Sequence, residues 1–499
     1  MSQAFAPRMP GGFSWIMLAI LAVASAGARP ASGQATAPDP GKAAPKPADP
    51  KPRGDDAKPD ADDDGDDKGN KGEVFLDPNA KKYLTKFDPI PFVGPQIKVG
   101  NPPDDRSKMQ NIAAGNENID LGFIKRYIEF FASELTKREN LNALLSPPPG
   151  MKPDAPQARA LERAVAALTQ PIIDSKALDK TEFLNAYTRA LFDSTLPKLL
   201  ENNYLTRIDA MIVLGMAGST ATNALDLYNA QLRKADQVIW VKLWAARGLS
   251  NAAQDGRVNL EASKANQSAD AVLAFLDSDP KLPWPAQLRA MEALGSIRLA
   301  SVNTPKGRVD SASVVLRYLA DPAARPEVRA RAAWALGMMR TAPVNSYNFA
   351  LAGHEVGELV VLLGRKVVEE YDDNPAGFDR DKDQAAYYAG LLLFQAIPAL
   401  SGVDAVSDSG LLRAPNLAAS GAKPYLTKLD ENVKAVAREA YELLRAGGTN
   451  QKARRDELDA KVAALQGFLN QSPPKDRHLV PGGPEFPVSV PRVAGAPRP

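Results

Sequence analysis

PEVRARAAWALG, Pro326 to Gly337, decides how this chain is laid out. Ala332, Ala333 and Ala335, together with Val328, Trp334 and Leu336, give a helix a small, smooth apolar flank that a second helix can approach closely. Pro326 suits a first helical turn, where its missing N–H costs nothing. Glu327 faces the positive end of the helix dipole, and Gly337 is the expected stop. This is a pattern for packing and carries no catalytic group.

The pattern recurs. Counting from Val328, a basic residue falls one position on, Ala four and seven on, Leu eight on and Gly nine on. TRIDAMIVLG from Thr206 supplies Arg207, Ala210, Leu214 and Gly215, and VKLWAARGLS from Val241 supplies Lys242, Ala245 and Leu249. AQLRAMEALG from Ala286 has Ala290, Ala293, Leu294 and Gly295, while VKAVAREAYE from Val433 has Lys434, Ala437 and Ala440. ALERAVAALT from Ala160 keeps Ala164, Ala167 and Leu168, and a weaker copy from Lys382 keeps Ala386 and Ala389. The starts, 160, 206, 241, 286, 328, 382 and 433, are about 35 to 54 residues apart. Other amphipathic stretches lie between them, from Ala224, Ser268, Ser311 and Gly357, so each unit is expected to be a helix pair.

Short turns join the pairs: LDSDP from Leu276, LADP from Leu319 and LDENVK from Leu429. A turn of this kind followed by Val-Arg or Val-Lys and the alanines resembles the HEAT repeat, with PEVRARAAWALG and DENVKAVAREAYELL the best matches. The resemblance covers roughly Leu121 to Leu469 and departs from the short-turn pattern at YDDNPAGFDRDKDQ, from Tyr371. It implies an all-α fold, a right-handed α-solenoid of about seven helix pairs whose second helices line the concave surface. It implies no activity.

In such a stack, equivalent positions form a ladder. Arg207, Lys242, Arg329 and Lys434, joined by Arg289 and Arg331, are the candidate ladder. They are expected to pair with turn aspartates such as Asp277, Asp321 and Asp430 and tie repeats together, or else to form a basic stripe for an acidic partner. Trp240, Trp244, Trp284 and Trp334 are expected mostly in the core.

Composition restricts the chemistry. With no cysteine, thiolate nucleophiles, disulfides and thiolate metal sites are absent, and the two histidines, His354 and His478, leave little for triads or multi-histidine sites. Lys plus Arg is 61 against 59 for Asp plus Glu, a balance unsuited to a general polyanion binder, so no nucleic acid is expected. His354-Glu355 opens like a zinc-protease helix, but position 358 is Glu358, and a histidine at a helix start is the expectation. No catalytic residue, cofactor or metal site is assigned.

The rest of the chain reads in order. Residues 1–34 resemble an export signal, with Arg8, the apolar WIMLAILAVA from Trp15 and the small-residue triplet Ala24-Ser25-Ala26. Residues 35–72 form an acidic, Pro-rich linker expected to be disordered. Asp60, Asp62 and Asp64 imitate a calcium loop whose closing acid is replaced by Lys71. Residues 73–118 are expected to be an extended segment, 119–470 the solenoid and 471–499 a Pro-rich tail from which Phe486, Val488 and Val490 can pack back.

The function expected is a non-catalytic protein-interaction scaffold of the bacterial cell envelope or exterior, in the periplasm or outside the cell. A protein partner is expected, with no stable membrane span after signal cleavage. The alternatives are a purely structural spacer or a carboxylate-dependent enzyme acting on envelope glycans. For the enzyme, Asp372, Asp373, Asp379, Asp381 and Asp383 are the dense candidates.

Overall fold

A computed structural model describes residues 105–486, apart from 146–149, 153–154, 218–223, 255–260, 280, 306, 343, 345, 379 and 449. The expected export signal, the 35–72 linker, Val488 and Val490 lie outside the described residues.

The described chain is almost entirely helical. The element from which the sequence was read is α-helical from Pro326 to Met338, with Arg325 extended before it and Met339 extended after it. Val328, Ala332, Ala333, Ala335 and Leu336 are fully buried. Its six counterparts are also helices. In chain order the helices are α1 (Asp105–Ala114), α2 (Leu121–Glu134), α3 (Arg138–Leu145), α4 (Ala160–Ala177), α5 (Thr181–Ala190), α6 (Leu196–Leu199), α7 (Tyr204–Ala217), α8 (Ala224–Arg233), α9 (Ile239–Gln254), α10 (Ala262–Asp277) and α11 (Trp284–Ile297). A small antiparallel hairpin follows, β1 (Val302–Thr304) with β2 (Gly307–Val309), Val302 opposite Val309. Then come α12 (Ser311–Ala320), α13 (Pro326–Met338), α14 (Phe349–Asp373), α15 (Asp383–Leu391), α16 (Ile397–Ser401), α17 (Leu417–Ser420), α18 (Lys423–Arg445) and α19 (Asn450–Gln471).

Helices carrying the recurring pattern touch one another in chain order: α4 on α7, α7 on α9, α9 on α11, α11 on α13, α13 on α16, and α16 with α15 on α18. Each also packs on a partner outside this row, α8 with α9, α10 with α11, α12 with α13, α14 with α15 and α18 with α19. Neighbour-to-neighbour packing of this kind is what repeat proteins use to bury a continuous core.

The prolines are absorbed locally. Pro171 sits buried inside α4 and has no N–H to give the carbonyl one turn back at Ala167. The buried Tyr127 hydroxyl donates to Ala167 O instead, at 3.3 Å. Pro197 and Pro398 each follow one widened, π-helical turn, Leu191–Thr195 and Leu392–Ala396, so α5 runs into α6 and α15 into α16 without a break.

Three expectations are corrected. The 73–118 segment is not extended throughout: α1 forms over Asp105–Ala114, and Met109, Ile112 and Ala113 are buried. The turn expected at Leu429–Lys434 does not exist. Those residues lie inside α18, which has no Pro or Gly beyond its first turn to end it, whereas the turn after α12 breaks at Asp321-Pro322. The second helix of the 357 unit begins earlier, so α14 runs for 25 residues from Phe349, capped by Asn348. From the tail, Leu479 and Phe486 pack back and are buried, and Asn348 N–H donates to Leu479 O at 2.8 Å.

Candidate functional site

The row helices present one shared face. Counting from each unit's start, the third, sixth and tenth positions fall on the same side of a helix. On α9 these are Trp244, Arg247 and Asn251; on α11, Arg289, Glu292 and Ser296; on α13, Arg331, Trp334 and Met338. Because α9, α11 and α13 are in direct contact, these positions meet across the row.

At their meeting point lies a buried ionic cluster. Arg247 Nη1 donates to Glu292 Oε1, and Arg289 Nη1 donates to Glu292 Oε2 at 2.5 Å. Arg247, Arg289 and Glu292 are all less than a tenth exposed. Arg331 approaches from α13 with its guanidinium carbon 5.2 Å from the Trp334 ring centroid. Burial alone would push the Glu292 carboxyl up, but the charges of Arg289, Arg331 and Arg247 outweigh it and hold the group at about 2. Two guanidinium groups therefore share one carboxylate, with the charge of a third nearby.

Around the cluster the face stays polar. Ser250 Oγ lies 2.9 Å from Ser296 Oγ, and Gln254 Nε2 donates to Ser296 Oγ at 2.8 Å. On the other side, Arg325 stacks 4.8 Å from the Trp284 ring, with its Nε 3.5 Å from Glu327. Tyr387 of α15 stands beside Glu327, and burial followed by the Glu327 charge pushes its hydroxyl up to about 12. Asp209 holds the third position on α7, half-buried, and burial pushes its carboxyl up to about 7.

The six ladder residues divide. Arg289 and Arg331 belong to the cluster. Arg207, Lys242 and Arg329 are buried at the other side of the row. Arg207 Nε donates to Asn202 O, in the turn before α7, and Arg329 Nε to Leu319 O, in the last turn of α12, both at 2.8 Å, so the second serves a helix-end carbonyl. Such carbonyls have no partner within their own helix, and a long cation reaching back satisfies them. Lys242 lies 5.9 Å from the Phe275 ring centroid. Of the pairings expected with turn aspartates, the structure shows Lys434 with Asp430 at 2.6 Å, now within one helix. Asp321 instead accepts from Ala323 N–H. Arg247 was not singled out in the sequence; its spacing of three from Trp244, matching Arg289 to Glu292, was the available signal.

The tryptophans are less buried than expected: Trp244 is in the core, while Trp240, Trp284 and Trp334 are half-buried. His354 is not at a helix start but in the second turn of α14. There burial pushes it down to about 4, and its Nδ1 lies 3.4 Å from the Tyr425 hydroxyl. The aspartate group does not gather into a site among the described residues. Asp372 is held by Arg455 in a two-pronged pair at 2.5 and 2.9 Å, and Asp379 lies outside them. Among the described residues, no group of three or more His, Asp or Glu side chains is placed to hold a metal ion, and no helix is long and apolar enough to cross a membrane. An open groove between α18 and α19 is lined by Arg445 and Arg454 alternating with Glu442 and Glu457, a self-neutralising solvated surface. Comparison with protein-family models, with curated proteins and with solved structures finds no match to this chain.

Proposed function

We propose that this chain is a non-catalytic interaction scaffold, a right-handed α-solenoid of about seven HEAT-like helix pairs that binds a protein partner through the face of its inner row. The observation that carries the reading is the in-order contact of the recurring helices, from α4 through α7, α9, α11 and α13 to α15–α16 and α18. A row built by stacking creates a long face whose equivalent positions come from successive repeats, which suits an extended partner. The half-buried Trp284 and Trp334 and the exposed Phe394 lie along this row and are the kind of side chains that anchor interfaces.

The export reading of residues 1–34 belongs to the same proposal, placing the scaffold in the periplasm or outside the cell. N-terminal sequencing of the protein from its native host should then begin after about residue 26 to 34, and an intact Met1 in a cytoplasmic fraction overturns it.

The scaffold reading is tested by using the mature protein as bait in envelope extract, alongside Phe394→Ser and, as an off-row control, Tyr441→Ser. A partner held in stoichiometric amount by the parent and by Tyr441→Ser, and lost with Phe394→Ser, is the expected result. Hydrolysis of envelope glycan by the purified protein, abolished by Asp372→Asn or Asp383→Asn, overturns it in favour of a carboxylate enzyme.

A further inference from the structure

The two ends of the helical stack are finished differently. At the C-terminal end, α19 buries Leu458, Val462, Leu465 and Leu469 and turns Lys452, Asp456, Glu457 and Asp459 outward. A polar outer face of this kind is what closes a repeat stack in water. The N-terminal end is more apolar. Leu121 of α2 is 62% exposed and Leu178, just after α4, 53%, with Leu144 of α3 and Ile173 of α4 exposed as well. In the rest of the described residues the exposed large apolar side chains are Phe394 and Tyr441.

Leu121, Ile173 and Leu178 share one edge. Thr206 Oγ1, in the first turn of α7, donates to Leu135 O at the C-terminal end of α2, at 2.8 Å. Met216 O, at the other end of α7, accepts from Lys176 Nζ of α4 at 3.2 Å. The start of α2 therefore lies at the same end of the unit as the finish of α4. The loop between α1 and α2 agrees: a methyl group on Gly115, six residues before Leu121, would lie 2.9 Å from Lys180 Nζ, two residues after Leu178.

The chain carries its own cover for this edge. Residues 73–104 lead directly into α1 and include Phe75, Tyr83, Leu84, Phe87, Ile90 and Phe92, whereas residues 35–72 contain no large apolar residue. Pro78, Pro89, Pro91 and Pro95 break any long helix, so the segment suits a covering strap better than a further repeat. Reach is ample. α1 ends beside Lys180 and starts about 15 Å away, while thirty-two extended residues span about 100 Å. Attachment to α1 gives the segment a local concentration at the edge that a separate molecule would have to match. We propose that residues 73–104 are the N-terminal cap of the same molecule's helical stack, docking apolar side chains over Leu121, Ile173 and Leu178. The surface is apart from Phe394, and the inference does not rest on the scaffold reading.

Because the chain has no cysteine, one pair at a time can be introduced into the full-length protein. Leu178→Cys is combined in turn with Tyr83→Cys, Phe87→Cys and Ile90→Cys, and each pair is oxidised with copper phenanthroline and run on a non-reducing gel. Leu178 is exposed, as is Tyr441 of α18, so Tyr441→Cys in place of Leu178→Cys is the matched control. At least one pair with Leu178→Cys is expected to close a disulfide within one chain, at least about tenfold faster than the control. Disulfides that form only between chains would give the edge to a second copy. That result, equal rates with the control, or no disulfide at all overturns the cap. Amide exchange supplies the second readout. Phe87→Ser together with Ile90→Ser in the full-length protein should speed exchange at residues 121–126 and 174–178 relative to the parent and leave α18 unchanged. Unchanged exchange at the edge overturns the cap even where a disulfide forms.

Discussion

A methyl group placed on Gly295 of α11 would lie 2.8 Å from Cα of Ala335 on α13. The same relation repeats along the row. At Gly337 such a methyl would meet Ala399 Cα and O at 2.5 Å, and at Gly215 it would meet Trp244 O at 3.2 Å. These glycines occupy the same repeat position, nine residues after each start, and each faces the next helix of the row. Gly337 was expected to stop its helix, yet both Gly337 and Gly295 lie within theirs. Their role is close approach of one backbone to another.

Gly295→Ala and Gly337→Ala should therefore destabilise the protein by about 1 to 3 kcal/mol each through overpacking. Gly390, inside α15 with nothing near its missing side chain, provides the contrast. Gly390→Ala should stabilise by about 0.5 to 1 kcal/mol, the helix-propensity difference. Urea melts of the three variants decide it, and a common sign for all three would refute the close-approach argument.

Ala332 and Ala335 are fully buried, and the same logic applies to enlarging them. Ala332→Leu and Ala335→Leu should each cost about 1 to 3 kcal/mol. If repeats couple mainly to their neighbours, loss of amide protection should be confined to α11 through α16, leaving α4 and α18 protected. Hydrogen exchange read by mass spectrometry checks this, and uniform loss along the chain would indicate one cooperative globule instead.

Asp209 ties stability to pH. Burial raises its carboxyl from 3.8 to about 7, so its folded form prefers to keep the proton. The stability this group contributes is fully present below about pH 4 and is lost as pH rises to about 7. Asp209→Asn removes the titration, so it should melt higher than the parent at pH 8, by an equivalent of about 2 kcal/mol given the partial solvent contact, and equally at pH 4. Parallel thermal melts at the two pH values measure the difference.

The tail holds the start of α14. Asn348 accepts from Leu351 N–H as the helix cap, while its own amide donates to the carbonyls of Asp476 and His478 at 3.0 and 3.1 Å. Truncation after Gln471 would strip these bonds and expose the surface under Leu479 and Phe486, for a loss of about 3 kcal/mol. Faster exchange at the amides of residues 349–356 than in the parent is the local signature. Leu479→Ala should reproduce part of it.

Much of this was legible in the residues alone. The recurring Ala positions and the basic residue beside four of the seven starts announced helices and their spacing, because a 3.6-residue period and small flanks are local properties that a short window carries. Six of the seven starts fall in helices, Lys382 lies just before α15, and the contact from α13 onward is made by α16. What failed was local punctuation under tertiary control. Leu429–Lys434 has the letters of a turn but no residue that stops a helix, so α18 runs through it. Pro171 lies inside α4, where the Tyr127 hydroxyl, forty residues before Ala167, supplies the donor that Ala167 O lacks. The ladder shows the limit most plainly. Spacing marked Arg207, Lys242, Arg329 and Lys434 as equivalent, with Arg289 and Arg331 two positions on, but burial and the nearest available partner gave them different tasks. Arg207 met a turn carbonyl, Arg329 a helix-end carbonyl, and Lys434 met Asp430. Arg289 met Glu292 and, through it, Arg247 on the next helix, while Arg331 lies against Trp334 with its charge acting on Glu292. Periodicity is set by neighbours along the chain. A charge cluster is set by which helices come within a few ångströms, and that distance exists only once the row is packed.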